Sequence, residues 1–339
     1  MLGGSNRCVS ALYKIIANSK LGISKISAVF LLTICAKNRY NFGRMSDSIT
    51  VLAPAKINLG LEVFSKRADG YHDLHSIFTT VALFDEICVS KTDERNSCIV
   101  ECSGMELPEQ NTITAAYKAF CVLTGIDSGV HVSIKKRIPA GGGLGGGSSD
   151  ASSFIQSVNS LFRAGLGIDS LSSISGEVGS DVFFFTHALA AQGGRRFSRF
   201  EPFAAVVDGR GEKVRQIQHR NDFSVLLVFP KVSVSTKDAY ALVDEAAGFK
   251  GSCGRIPLEE IFYMPVKKWS FENDFTAPVS GKYAEIAEAL SRLRSCGADF
   301  SDMSGSGSTV FGIFEKKTAA LKAKALLEKE FNLALCLGG

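Results

Sequence analysis

The chain has 339 residues, 45% hydrophobic and 21% charged, which suits a soluble globular protein of two moderate domains and excludes a disordered or fibrous chain. Its net charge of +4 arises in residues 1–46, which hold seven Lys/Arg and no Asp or Glu; the remaining 31 basic and 34 acidic residues leave −3. A nucleic-acid partner is therefore not expected.

The first 45 residues carry Arg7, Lys14, Lys20 and Lys25, then a nine-residue apolar run from Ala28 to Ala36, then Lys37, Arg39 and Arg44. So short a run cannot span a bilayer, and no membrane partner is expected. Three readings stay open: a transit-like presequence for a plastid-type organelle, a poor signal peptide, or sequence upstream of a true start at Met45. In each, residues 1–46 lie outside the catalytic fold. Nine cysteines are scattered without C-x-x-C or histidine pairs at ligand spacing. They read as thiols of a reducing compartment, hence a cytoplasmic expectation, with no metal ligand set.

Residues 49–64 read as one or two strands broken at Pro54, and Ser65 to Asp73 as a charged, glycine-containing turn. Ile77 to Ser90 is strand-like. Thr112 to Leu123 reads as a helix with Asn111 as N-cap. Val130 to Ile138 alternates apolar and polar residues, as a half-exposed antiparallel strand does. Pro139-Ala140-Gly141-Gly142-Gly143-Leu144-Gly145-Gly146-Gly147-Ser148-Ser149-Asp150 follows. A helix over 150–164 comes next, with Ala151, Phe154, Ile155, Val158, Leu161 and Phe162 in one stripe. A bare loop running into a helix start exposes backbone N–H donors and the positive helix end, an anion site of the kind that holds phosphate. Gly147-Ser148 lacks the Walker A lysine, and the alternating strand before the loop argues against a dinucleotide fold.

A short helix near Ser170–Val178 leads to Gly179-Ser180-Asp181 and an apolar Val182–Phe185. An arginine and aromatic patch follows at Arg195, Arg196, Phe197, Arg199 and Phe200, read as a solvated surface loop, with contact to an acidic ligand as the alternative. Ala205 to Glu212 reads as strand and turn, and Phe223–Phe229 as an apolar strand. A domain boundary is expected near 220, dividing 47–220 from 221–339. Helices are expected over Asp238–Ala247, Tyr283–Ser295 and Lys317–Phe331, and strands over Thr309–Phe314 and Leu333–Leu337. The mix gives an α+β class.

Pro54-Ala55-Lys56-Ile57-Asn58-Leu59, the glycine loop, and Ser304-Gly305-Ser306-Gly307-Ser308 occur in an order that resembles the GHMP kinase superfamily. Arg67-Ala68-Asp69-Gly70-Tyr71-His72 narrows the resemblance to its 4-diphosphocytidyl-2-C-methyl-D-erythritol kinase family, over about residues 49–315. The resemblance implies two domains, one like domain 2 of ribosomal protein S5 and one ferredoxin-like, with the active site in the cleft between them. It implies transfer of phosphate from ATP, with Mg2+ carried on the nucleotide, to the 2-hydroxyl of cytidine diphosphate methylerythritol in the non-mevalonate isoprenoid pathway. Homoserine- or mevalonate-type kinases and a catalytically inactive nucleotide sensor are the alternatives, and the oligomer is a monomer or homodimer.

By the same resemblance Asp181 is the catalytic base and Lys56 its cationic partner. Pro139 to Ser149 hold the ATP phosphates, with Asn111, Lys136 and Ala140 near the adenine. Asn58, Tyr71 and His72 match the cytidine side with Tyr240 as a second stacking aromatic, Thr236 is a further substrate-binding residue, and Gly305, Ser306 and Gly307 line the cleft. A helix-cap aspartate at 181 and a core tyrosine at 240 are the plainer readings of those residues. Asn273 and Asp274 echo the family without an assigned role. Phe183 stands where the family usually has proline, and residues 187–204 read as an insertion.

Overall fold

The computed structural model describes residues 47–192, 201–246 and 256–338. The basic N-terminal extension, the patch at 195–200 and the expected helix end at Ala247 lie outside the described residues. The chain first lays down a long antiparallel hairpin of β1 (Ser48–Lys66) and β2 (His72–Arg95). Pro54 does not break β1. The pairing register shifts between Pro54 and Ala55, so the residue without an N–H sits at an irregularity of the ladder. The two-residue strand period sends Ala55, Ile57 and Leu59 into a fully buried apolar core. Lys56 and Asn58 alternate with them.

β3 (Cys98–Ser103) and β4 (Ser128–Lys135) pair in parallel and are joined through α1 (Thr112–Thr124). β4 is antiparallel to β2 on its other side, so the alternating strand has one neighbour of each kind. α1 is closed by a capping box: Asn111 Oδ1 accepts from the N–H groups of Ile113 and Thr114, while Thr114 Oγ1 accepts from Asn111 N–H. β5 (Ala204–Gly209) and β6 (Lys213–Ile217) complete a six-stranded sheet in the order β3-β4-β2-β5-β6, with β1 also on β2.

α2 (Gly146–Phe162), α3 (Ile168–Val178) and α4 (Ser180–Ala191) follow the glycine loop. α2 begins four residues before the expected start, so two glycines of the loop are helical. α4 absorbs Val182–Phe185 and the first residues of the expected insertion. The hydroxyl of Thr186 meets those of Ser152 and Ser175 at 2.9 Å each, satisfying three buried polar groups between helices.

The second sheet holds β7 (Ser224–Phe229), β8 (Phe300–Met303), β9 (Val310–Phe314) and β10 (Asn332–Cys336) in the antiparallel order β10-β7-β9-β8. α5 (Thr236–Glu245), α6 (Leu258–Tyr263), α7 (Thr276–Lys282) and α8 (Ala284–Ser295) lie between β7 and β8, and α9 (Lys317–Leu327) between β9 and β10. This is the ferredoxin-like arrangement. β8, α6 and α7 are too short and irregular in sequence to have been anticipated. The chain changes sheets between Ile217 and Ser224. Ile57, Ile77, Leu227, Phe262 and Phe311 nevertheless share one buried cluster, and Ser48–Gly339 forms one compact unit. Among the described residues no helix is long and apolar enough to cross a membrane.

Phe154 of α2 is fully buried among Ile87, Val132 and Ile155. Phe154→Ala is expected to lower unfolding free energy by about 3–5 kcal/mol, measured as a lower denaturant midpoint at unchanged slope.

Candidate active site

Two small-residue loops from the two sheets seat on each other. Ser304 Oγ donates to the Gly143 carbonyl at 2.9 Å, and Thr309 N–H to the Gly142 carbonyl at 3.3 Å. Gly143 has φ +74°, and a Cβ there would run into the Ser304 carbonyl oxygen. The Lys56 N–H donates to the Leu144 carbonyl at 3.0 Å, which fixes the same loop to β1. Gly145 precedes α2 with φ +69° and supplies no side-chain cap, so the first N–H groups of α2 have no capping side chain. The Cβ it lacks would strike the ring of Phe185, at 2.7 Å. The loop is thus a cradle whose shape excludes side chains, and it fits a phosphate chain.

A cavity of about 300 Å³ opens over this cradle. It is lined by Lys56, Asn58, Thr112, Asp181, Thr236 and Tyr240, together with Pro139, Ala140, Gly141 to Gly143, Gly145 to Ser148, Gly305 and Ser306. Lys56 is the central cation. Its Nζ lies 2.6 Å from Asn58 Oδ1, 3.5 Å from Asp181 Oδ2 and 4.6 Å from the centroid of the Phe78 ring. Burial lowers its pKa from the ordinary lysine value, and the charge of Asp181 opposes the shift. Asp181 is the second residue of α4, one past the first helical position, and its carboxylate is 31% exposed toward the cavity. It is not the cap of that helix, whose N-cap is Gly179. An accessible carboxylate beside a buried ammonium can accept a proton from an incoming hydroxyl.

Tyr240, which lines the cavity, stacks on His72, which is buried and does not line it, with centroids 4.9 Å apart at 24°. The His72 Nδ1–H donates to the Phe64 carbonyl at 2.7 Å, and Nε2 lies 3.6 Å from Asp244. Tyr240 also meets Phe275 edge-on, and burial with the charge of Asp181 pushes its phenol up to about 12. Thr236 and Ser306 hydroxyls are 3.3 Å apart across the rim. Tyr71 is exposed, on the turn outside the cavity, beneath the Arg210 guanidinium.

Several expected contacts are placed elsewhere. Asn111 is occupied as the α1 cap, and its neighbour Thr112 reaches the site, donating from Oγ1 to the Gly147 carbonyl at 3.0 Å. Lys136 is engaged below the loop, 2.5 Å from Asp85 and 2.8 Å from Asp150. Leu144 and Ser149 are buried, and Gly307 packs on Met303. The fully buried Asp85 also accepts the N–H groups of Arg137 and Ile138, so it sets the strand's approach to the loop. Asn273 supports the second loop, donating from Nδ2 to the carbonyls of Met303 and Gly305 at 2.8 Å each, and Asp274 accepts the Val63 N–H. Asp85 carried no sequence signal, since a lone acid in an apolar strand shows no partner until the fold closes. A larger hollow of about 700 Å³ lies behind Asn273, lined by Thr276, Arg294 and Asp302. It holds neither Asp181 nor the glycine loop.

Residues 111–188 match the GHMP kinases N terminal domain, and residues 263–333 the GHMP kinases C terminal domain. The 4-diphosphocytidyl-2-C-methyl-D-erythritol kinase of Treponema pallidum (strain Nichols) is 36% identical over 294 residues, spanning 84% of this chain and 96% of that protein. The same-named protein of Thermodesulfovibrio yellowstonii is 35% identical over 286 residues, spanning 83% and 94%. A solved 4-(cytidine 5'-diphospho)-2C-methyl-D-erythritol kinase superposes with a TM-score of 0.69 at 30% identity, covering 86% of this chain and 100% of that one. A homoserine kinase from Cytophaga hutchinsonii superposes at 0.62 with 17% identity, covering 88% and 96%, and shows the shared fold alone.

Gly143→Ala should force the two loops apart. Its strained φ and the blocked carbonyl together are worth at least about 1–3 kcal/mol, so a weakening of ATP binding by roughly tenfold is expected by titration. The pH–rate profile should lose kcat/KM on its alkaline side as Lys56 gives up its proton. That limb should lie below the ordinary lysine value of 10.5, because burial favours the neutral amine.

Proposed function

The chain belongs to the 4-diphosphocytidyl-2-C-methyl-D-erythritol kinase family of GHMP kinases, and we propose that its cleft transfers the γ-phosphoryl group of ATP to the 2-hydroxyl of that cytidine substrate. The observation that carries this reading is the Asp181–Lys56 pair facing the start of α2 across one cavity. The hydroxyl oxygen attacks the γ-phosphorus, its proton passes to the Asp181 carboxylate, and ADP leaves with the bridging electrons. Lys56, held by Asn58, faces Asp181 and steadies the charge that moves between the reacting oxygens. The uncapped N–H groups of Gly146, Gly147 and Ser148 hold the phosphates, with their positions fixed by the fold.

Magnesium, bound with ATP, supplies neutralisation of phosphate charge. Among the described residues no group of three His, Cys, Asp or Glu is arranged to hold a metal. We assign the cytidine end to Tyr71, His72 and Tyr240. A fixed imidazole and two aromatic rings suit a flat base with a hydrogen-bonding edge. One face of Tyr240 is taken by His72 and one face of Tyr71 by the Arg210 guanidinium, and Tyr71 is the more exposed of the two rings.

A coupled assay with ATP, magnesium and the cytidine substrate should release ADP in step with the cytidine compound. Turnover of homoserine or mevalonate in its place would overturn the reading. Asp181→Asn should lower kcat by roughly 10²–10⁴ with little change in ATP binding. A rate near that of the parent would remove Asp181 as the base.

A further inference from the structure

The turn carrying Tyr71 is pinned along its backbone and open at its side chain. The Arg67 N–H donates to the Tyr71 carbonyl at 2.7 Å, Gly70 N–H to the Arg67 carbonyl at 3.1 Å, and Tyr71 N–H to Asp69 Oδ1 at 3.1 Å. The Arg67 guanidinium bridges Asp73 at 2.7 Å and Asp69 at 3.2 Å. The Tyr71 side chain is left 54% exposed, and the guanidinium carbon of Arg210 lies 4.2 Å from its ring centroid.

The backbone that carries Arg210 is held in place. It sits in the β5–β6 turn, where its N–H donates to Glu212 Oε2 at 2.7 Å. Asp208, at the base of that turn, meets His75 Nδ1 of β2 at 2.6 Å. A Cβ on Gly211 would lie 3.0 Å from the Ser180 carbonyl oxygen, so the turn is seated on the first residue of α4, next to Asp181. The cation over Tyr71 is thereby tied to the helix that bears the base.

We propose that Arg210 is a specificity-determining residue for the nucleotide end of the substrate, its guanidinium holding the Tyr71 ring in the pose that stacks on cytosine. This rests on the assignment of cytidine to Tyr71 above. An exposed tyrosine on a turn samples several rotamers, and binding a base must select one; a ring held in advance removes that cost from binding. A guanidinium suits the task because it is flat, delocalised and always charged, so it stacks on the ring face as well as attracting it. A lysine ammonium keeps the charge and loses the flat stack. Arg210 acts through Tyr71 and leaves the reacting atoms alone, so its effect belongs in KM for the cytidine substrate.

The test compares the full chain with R210A and R210K by steady-state kinetics and by calorimetric binding of cytidine 5′-diphosphate. R210A should raise KM for the cytidine substrate, and weaken cytidine 5′-diphosphate, by about three- to tenfold. Its kcat and its KM for ATP should stay within about twofold of the parent. R210K should recover only part of the loss. Unchanged KM and binding in R210A, full recovery in R210K, or a joint loss of kcat and ATP affinity would each overturn the proposal. A parent protein that binds and turns over the cytidine compound while R210A matches it removes only the Arg210 clamp. A parent protein that does neither removes the reading of the site, and the clamp with it.

Discussion

The site depends on the seating of one backbone on another. Gly142 and Gly143 of the first sheet's loop meet Ser304 and Thr309 of the second sheet's loop through two hydrogen bonds and a contact that leaves no space for a Cβ. A third bond, from the Lys56 N–H to Leu144, ties the same loop to β1. The glycine loop, the strand bearing Lys56 and the loop at Ser304–Ser308 are therefore held in fixed relation. In phosphoryl transfer, where positioning and charge supply most of the rate, that relation is the main contribution of the fold.

The second demand on the structure is the management of buried charge. Lys56 is almost fully buried and is tolerated because Asn58, Asp181 and the Phe78 face surround its ammonium. Lys136 is handled differently. It lies between Asp85 and Asp150, and Asp85 also takes two backbone N–H groups at the entrance to the glycine loop. Such a cluster adds little net stability but fixes geometry, since removing one member strands the others. Lys136 thus supports the loop from beneath.

Much of the fold was legible because periodicity reports burial. The apolar stripe from Ala151 to Leu161 is the buried face of α2, and Asn111 caps α1 as its residue type suggests. The errors have physical causes. Pro54 reads as a break because it lacks an N–H, yet the shifted register at that point absorbs it. The sequence predicts a helix start at 150, yet Gly146 and Gly147 lie in the first turn although glycine disfavours helix, because the loop's tertiary seating outweighs propensity. Asp85, Thr112 and Arg210 carry roles that no local pattern marks. Each depends on a partner far along the chain: Arg137, Gly147 and Tyr71 respectively.

By itself the sequence determined the kind of chemistry. A glycine loop opening into a helix, a lysine in an apolar strand, and a Gly-Ser-Asp turn are local statements about backbone donors and charge, and local statements survive in one dimension. The tertiary structure alone decided which of those residues meet. It brought Lys56 within 3.5 Å of Asp181, set His72 on Tyr240, withdrew Asn111 and Lys136 from the cavity, and laid Arg210 over Tyr71. These contacts join residues on different strands, turns and helices, and their distances are fixed by register and loop seating, quantities that only the closed fold defines.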